Sequence, residues 1–315
     1  MSYKIFAGNS HPELAAEISQ YLNVELGALT IDKFACGETY VSIEESVRGR
    51  DVFIIQTCTQ DVNNDFMELF LLVDACKRSF ANTIHLVMPH FGYARQDRKT
   101  KVRESISAKT MAGILEKVGV NHMLTLNLHA DQIQGFFDIP VDNISTRRFF
   151  ADYFLAKKLN MKDVVVVSPD AGGVKAARKF ADKLGVSIAM VHKNRTAHNK
   201  SEVVAVIGDV KDKITIIYDD IIDTGGSVCN AKEALIKKGA RKDSVYLAAT
   251  HPVFSGDAVK KLADAQFAEI VVTNSIPIAH EKRFKGLKVL SIGTLLGSIL
   301  SNILESKSVS MLHEG

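Results

Sequence analysis

The chain has little net charge of either sign. Its 39 lysines and arginines stand against 36 aspartates and glutamates, a formal +3 over 315 residues. That balance argues against a dedicated nucleic-acid binder, which needs a basic face. Cysteine is also scarce. Cys36, Cys58, Cys76 and Cys229 are scattered with no CxxC pair, which speaks against a zinc site or a disulfide framework and for reduced thiols. No apolar run approaches the length of a membrane span. No segment is of low complexity, and residues 1–6 read as a strand rather than a signal peptide. The cytoplasm is the expected compartment.

Hydrophobic residues make up 46% and charged residues 24%, the composition of a globular protein. The length suggests about two domains. Short apolar runs alternate with amphipathic stretches. Residues 52–56, 84–88, 123–126, 164–167, 187–190, 214–218 and 245–248 read as strands. Residues 65–79, 108–118, 147–158, 173–184, 228–238 and 292–304 read as helices. The alternation predicts an α/β fold of parallel sheets flanked by helices. A coarse repeat places functional-looking loops at strand ends in both halves. The expected division is 1–146, 147–291 and a C-terminal helix and tail, 292–315, returning to the first half.

The most informative segment is Tyr218-Asp219-Asp220-Ile221-Ile222-Asp223-Thr224-Gly225-Gly226-Ser227, between a strand and a helix. Backbone N–H groups at 224–227 and the helix N-terminus suit a phosphate. Gly225 and Gly226 permit close approach. Asp219 and Asp220 repel phosphate but suit sugar hydroxyls. One loop thus offers both halves of a sugar-phosphate site, at the strand end where ligands of open α/β sheets bind. A tight connection without function is the bland alternative.

Other clusters are weaker by themselves. Lys193-Asn194-Arg195 follows a strand and opens a polar stretch, to Ser201, that reads as a mobile loop or hairpin. Residues 95–103 hold five cations, which suit nucleotide phosphates or simply a solvated surface. His129, Asp131 and Asp170 follow strands and are candidate ligands for a divalent metal. Phe136 and Phe137 read first as packing or interface residues. Phe34-Ala35-Cys36-Gly37-Glu38 reads as a turn between strands, where a ring beside a carboxylate could meet a base.

Together these segments resemble ribose-phosphate diphosphokinase, the phosphoribosyl pyrophosphate synthetase family. The likeness runs through 43–49, 91–98, 128–140, 167–170, the 218–227 loop, 250–252 and 308–310. The loop alone would fit any type I phosphoribosyltransferase. The resemblance implies two similar phosphoribosyltransferase-like domains and transfer of the diphosphoryl group of ATP to ribose 5-phosphate. It further implies that Asp219, Asp220, Asp223, Thr224, Gly225, Gly226 and Ser227 bind ribose 5-phosphate. Lys193 and Arg195 would be catalytic. Phe34, Cys36, Gly37, Glu38, Arg95 and Gln96 would bind ATP, and His129 and Asp170 would hold Mg²⁺. Ser46, Arg48, Arg103, Ser308 and Ser310 match a regulatory phosphate or ADP site between subunits of a homohexamer.

The chain departs from the family pattern at four places. Cys36 stands where Asp or Asn is expected, and a thiol is a poor acceptor for an adenine amino group. Asn127 replaces an Asp two residues before His129, Ser105 replaces a Pro, and Ser227 replaces a Thr. The first two departures motivate a competing reading, a catalytically weak regulatory paralogue. A nucleobase phosphoribosyltransferase is a further alternative, disfavoured by the duplicated architecture.

Overall fold

The computed structural model describes residues 3–194 and 203–309. The chain divides into two compact units. The first runs to Ser145 and includes 275–277 and the segment from Ser291. The second comprises Thr146–Asn274 and Ile278–Leu290.

In the first unit, β1 (Tyr3–Ala7), α1 (Pro12–Leu22), β2 (Leu29–Lys33), β3 (Thr39–Ile43), β4 (Asp51–Ile55) and α2 (Val62–Arg78) come first. They are followed by β5 (Thr83–Met88), α3 (Ser107–Val118), β6 (His122–Leu126) and β7 (Val141–Ile144). The order β1-β4-β5-β6-β7 makes a five-stranded, wholly parallel sheet. β2 and β3 form a separate antiparallel hairpin. Val52, Ile54, Ile84 and Leu86 alternate on one sheet face and pack with Leu69, Val73 and Leu115 of α2 and α3, the period-two pattern of strands meeting apolar helix stripes.

The second unit holds α4 (Arg147–Ala156), β8 (Val164–Ser168), α5 (Val174–Leu184), β9 (Ser187–Asn194), β10 (Val203–Ile207), β11 (Ile214–Ile222) and α6 (Gly226–Lys237). Then come β12 (Val245–Pro252), α7 (Ala258–Asp264), β13 (Glu269–Thr273) and β14 (Leu287–Leu290). Its seven-stranded sheet has the order β10-β9-β8-β11-β12-β13-β14, antiparallel only between β9 and β10. The four valines of β8 are all buried because helices cover both faces. Val165 and Val167 join the layer of α6 and α7, and Val164 and Val166 join that of α4 and α5.

The last helix, α8 (Gly293–Leu304), belongs to the first unit and packs on α1. Gly293 and Gly297 allow the approach. A Cβ on Gly293 would collide with the Glu17 side chain.

Three strands run further than the sequence pattern indicates, β12 among them, to Pro252. β11 continues past Tyr218 to Ile222, because Asp219, Ile221 and Ile222 keep pairing with Ala249, His251 and Pro252 of β12. Sheet pairing here overrides the low strand preference of aspartate. β9 continues to Asn194, with Lys193 opposite Val204. Lys193 therefore lies within a hairpin strand rather than after one. Phe137 is buried and Phe136 packs against the same core, as their reading as packing residues expects. The cysteines are free: Cys58 and Cys76 are buried, Cys229 half-buried and Cys36 exposed.

Candidate active site

The end of β11 gathers the densest chemistry. Its first five residues, Ile214 to Tyr218, are buried, and burial eases at Asp219, Asp220 and Ile221. The acidic pair therefore emerges at the C-terminal edge of the sheet, with β8 and β12 on either side. Protein closely surrounds Asp219. Desolvation, then the charge of Asp220 and a hydrogen bond to it, then the charge of Asp170, hold its carboxyl well above the usual range. The Asp220 N–H donates to Asp219 Oδ1 at 2.9 Å and opposes that shift in part. Asp170, two residues after β8, is thus an electrostatic neighbour of the pair. Its Oδ1 accepts the Gly173 N–H at 2.9 Å, and its carbonyl accepts the Ser168 hydroxyl at 2.7 Å.

The loop after β11 turns sharply into α6. Gly225 caps the helix at φ 74°, in the left-handed region. A Cβ on Gly226 would meet nothing closer than Thr224 Oγ1 at 3.9 Å, so the helix start is uncluttered. The first N–H groups of α6 carry the positive end of the helix dipole. The chain before α7 holds the other side of the loop. Phe254 N–H donates to the Ile222 carbonyl at 3.1 Å, and Ser255 N–H to the Asp223 carbonyl at 3.0 Å. The loop at 223–225 thus runs directly from the acid pair of β11 into the start of α6.

Lys193 lies in β9 of the second unit; the first unit carries the other described candidates. Phe34, Cys36, Gly37 and Glu38 form the tip of the β2–β3 hairpin. Phe34 N–H donates to the Glu38 carbonyl at 2.9 Å, and Gly37, at φ 93°, donates to the Phe34 carbonyl at 2.8 Å. Phe34 is 56% exposed, and its ring meets Tyr40 edge-on at 5.8 Å. An exposed ring at a hairpin tip is open to stacking. Arg95 and Gln96 follow β5, and His129 follows β6, its neighbour in the sheet. Gln96 N–H closes a turn on the Tyr93 carbonyl at 3.0 Å, and its side chain bonds Ser107 Oγ. Asn127 adopts φ 38°, a left-handed conformation that asparagine tolerates better than most residues.

Asp170 and the acid pair therefore meet in the second unit, with the loop next to them. The hairpin tip belongs to a separate two-stranded sheet of the first unit. Ser46 and Arg48 follow β3. The Arg48 guanidinium lies over the Phe80 ring at 5.3 Å. Arg103 has φ 67°, in a turn where Glu104 accepts the Thr100 and Lys101 N–H groups at 2.8 Å each. The Ser308 carbonyl accepts Asn302 Nδ2 at 2.8 Å. Arg195 and Ser310 lie outside the described residues. Among the described residues, no three His, Cys, Asp or Glu side chains converge as a metal-binding group, and no helix is long and apolar enough to cross a membrane.

Sequence reasoning missed Lys232. It lies on the apolar stripe of α6 formed by Val228, Ala231 and Leu235, and it is only 5% exposed. A lysine at that spacing is itself a signal, since an unpartnered buried ammonium is costly.

The model of the N-terminal domain of ribose phosphate pyrophosphokinase matches residues 3–119, and that of the phosphoribosyl synthetase-associated domain matches residues 195–314. The ribose-phosphate pyrophosphokinase of Clostridium acetobutylicum is 47% identical over 311 residues, 99% of this chain and 97% of its own. That of Bacillus caldolyticus is 46% identical over 311 residues, 99% of this chain and 98% of its own. Among solved structures, the phosphoribosylpyrophosphate synthetase of Mycobacterium smegmatis superposes with a TM-score of 0.92 at 42% identity, covering 97% of this chain and 100% of that one. Relatives and fold agree over nearly the whole length, and the family models over 3–119 and 195–314: the chain belongs to the ribose-phosphate pyrophosphokinase family.

Proposed function

We propose that the chain transfers the diphosphoryl group of ATP to ribose 5-phosphate, giving phosphoribosyl diphosphate and AMP. The observation that carries the reading is the half-buried acid pair at the end of β11 beside the open start of α6, in a chain matched over nearly its whole length by its relatives. The anomeric hydroxyl oxygen forms a bond to the β-phosphorus. The bond from that phosphorus to the oxygen bridging the α-phosphate breaks, AMP leaves with that oxygen, and the hydroxyl proton is released. Such a transfer depends chiefly on positioning and on neutralising charge.

In this reading Asp223, Thr224, Gly225, Gly226 and Ser227 hold the 5-phosphate, and Asp219 and Asp220 hold the ribose hydroxyls. Burial and the charges of Asp220 and Asp170 hold the Asp219 carboxyl above the usual range. Lys193 and Arg195 stabilise the charge that develops on the transferred group. Arg95 and Gln96 hold the ATP, with Phe34, Cys36, Gly37 and Glu38 at adenine.

His129 and Asp170 would hold Mg²⁺. The charge of Asp170 bears on Asp219, and a carboxylate oxygen is the donor type a hard divalent cation takes. When bound, the ion would neutralise charge on the diphosphate. Ser46, Arg48, Arg103, Ser308 and Ser310 would form a regulatory phosphate or ADP site in a cytoplasmic homohexamer. The decisive assay incubates the purified chain with ATP, ribose 5-phosphate and Mg²⁺ and measures AMP. Release of AMP that depends on ribose 5-phosphate is expected. None from the chain alone would sink the reading and favour a regulatory paralogue.

A further inference from the structure

The loop that ends β11 does not hold its shape alone. Its carbonyls at Ile222 and Asp223 are taken by the N–H groups of Phe254 and Ser255. The Ser255 carbonyl in turn accepts Ala258 N–H at 3.2 Å, at the start of α7. One turn of that short helix lies against the loop: a Cβ on Gly225 would stand 3.4 Å from Leu262 Cγ and 3.7 Å from the Ala258 carbonyl. α7 thus backs the turn at the residue that sets its left-handed geometry.

Seven residues are too few for a helix to persist unaided. Lys232, reaching across from α6, holds the C-terminal end of α7, beside a weaker Cys229 Sγ–H bond to the Lys261 carbonyl at 3.7 Å. The ammonium donates to the Ala265 carbonyl at 2.6 Å and also to the Gln266 carbonyl, and it lies 4.9 Å over the Phe267 ring. Ala265 is the cap residue of α7 and Gln266 the residue after it, so the ammonium sits at the helix's negative end, where a cation is stabilising. The carbonyls and the ring together compensate the burial of the charge.

We infer that Lys232 is a positioning residue for the sugar-phosphate loop, acting through α7. This rests on the assignment of ribose 5-phosphate to that loop. Lys232 fixes α7 from α6, α7 presents Leu262 to the loop and anchors Ser255 in the chain before it, and the loop's backbone donors are held where a phosphate meets them. It touches no substrate.

The test uses the full chain with Lys232→Met, which keeps the apolar stem and removes the donors. Hydrogen exchange is followed at the amides of Phe254, Ser255 and Cys229, and ribose 5-phosphate and ATP are titrated separately. The expected result is exchange at Phe254 and Ser255 faster by about tenfold and ribose 5-phosphate binding weaker by about tenfold, the scale of a lost charged hydrogen bond. ATP binding should hold. Wild-type protection of Phe254 and Ser255 in the variant overturns the inference, as does an equal loss of ATP affinity, which marks general destabilisation. A wild-type chain that fails to bind ribose 5-phosphate instead overturns the ligand assignment, and exchange still decides whether Lys232 holds the loop. Should the variant not fold, Leu262→Ala removes the contact on Gly225 from the other side. Faster exchange with weaker ribose 5-phosphate binding then supports the role of α7, and wild-type protection overturns it.

Discussion

Gly297 of α8 lies against Tyr21 of α1 so closely that a Cβ on the glycine would stand 2.6 Å from the ring's Cδ1 and 2.7 Å from its Cγ. With Gly293 facing Glu17 one turn earlier, the two helices meet along a strip that no side chain larger than hydrogen can enter. Interiors at crystal-like density cannot absorb such an addition without shifting. Gly297→Val should cost about 1–3 kcal/mol, the usual scale of overpacking. Equilibrium denaturation with urea measures this. A variant as stable as the wild type would show that α8 can move off α1 freely.

His85 supplies a pH dependence with a definite sign. Its ring stacks on Phe53 at 4.5 Å, and its Nδ1 lies 3.1 Å from His122 Nδ1. Burial first, then the neighbouring His122, lower it from 6.5 to about 4, while Asp51 partly opposes the shift. The unfolded chain therefore binds a proton below pH 6.5 that the folded one does not take until about 4. Stability contributed by neutral His85 is complete above 6.5 and is lost as pH falls through that window. The full shift corresponds to at most about 3 kcal/mol, less after screening by solvent at the ring's open edge. In His85→Phe, the loss of stability between pH 7.5 and pH 4 should shrink by an amount within that bound. An unchanged acid slope in denaturation curves would exclude the mechanism.

Asp219 has the opposite sign. Its folded pKa lies above the ordinary carboxylate value, so the folded chain holds a proton that the unfolded chain releases. Its contribution is present at acid pH and is lost as pH rises from about 4 toward the raised value. Asp219→Asn should therefore be more stable than wild type at pH 7 in the absence of metal, and should lose that part of the pH slope. Ribose 5-phosphate affinity should fall by about tenfold, the scale of one hydrogen bond to a charged group. Thermal unfolding from pH 4 to 8 and a sugar titration read both effects. Equal stability at pH 7 would mean the carboxylate is not strained by its neighbours.

Lys193 tests the chemistry itself. If its charge acts mainly on the transition state, Lys193→Ala should lower kcat by about 100-fold or more while changing ATP binding little. Steady-state rates and direct ATP titration separate the two. A proportionate loss of both would reassign Lys193 to ground-state binding.

The layered α/β plan was legible because its strands are apolar runs and its helices amphipathic. Val164–Val167 and 245–248 need no tertiary context to read as buried strands. The loop at 219–227 was legible for a different reason: adjacent carboxylates and paired glycines have few purposes at a strand end. Most of what escaped was set by pairing and by length, though α1, eleven residues long, was missed as well. Asp219 and Asp220 read as loop until the register with Ala249 to Pro252 places them within β11. α7, with seven residues, and β14, with four, are shorter than a periodicity can reveal. Lys232 escaped because its role depends on carbonyls 33 and 34 residues away.

The two hydrogen bonds from Phe254 and Ser255 to the carbonyls of Ile222 and Asp223 make the turn that we propose binds phosphate a composite object. Its most recognisable letters, 219–227, form one side of a mould whose other side is written at 254–265. Transplanting the acidic and glycine residues alone into another sheet would carry the chemistry without the shape. A graft meant to bind a sugar phosphate has to bring both stretches, and a designer varying 254–265 for other ends would be editing the site unawares.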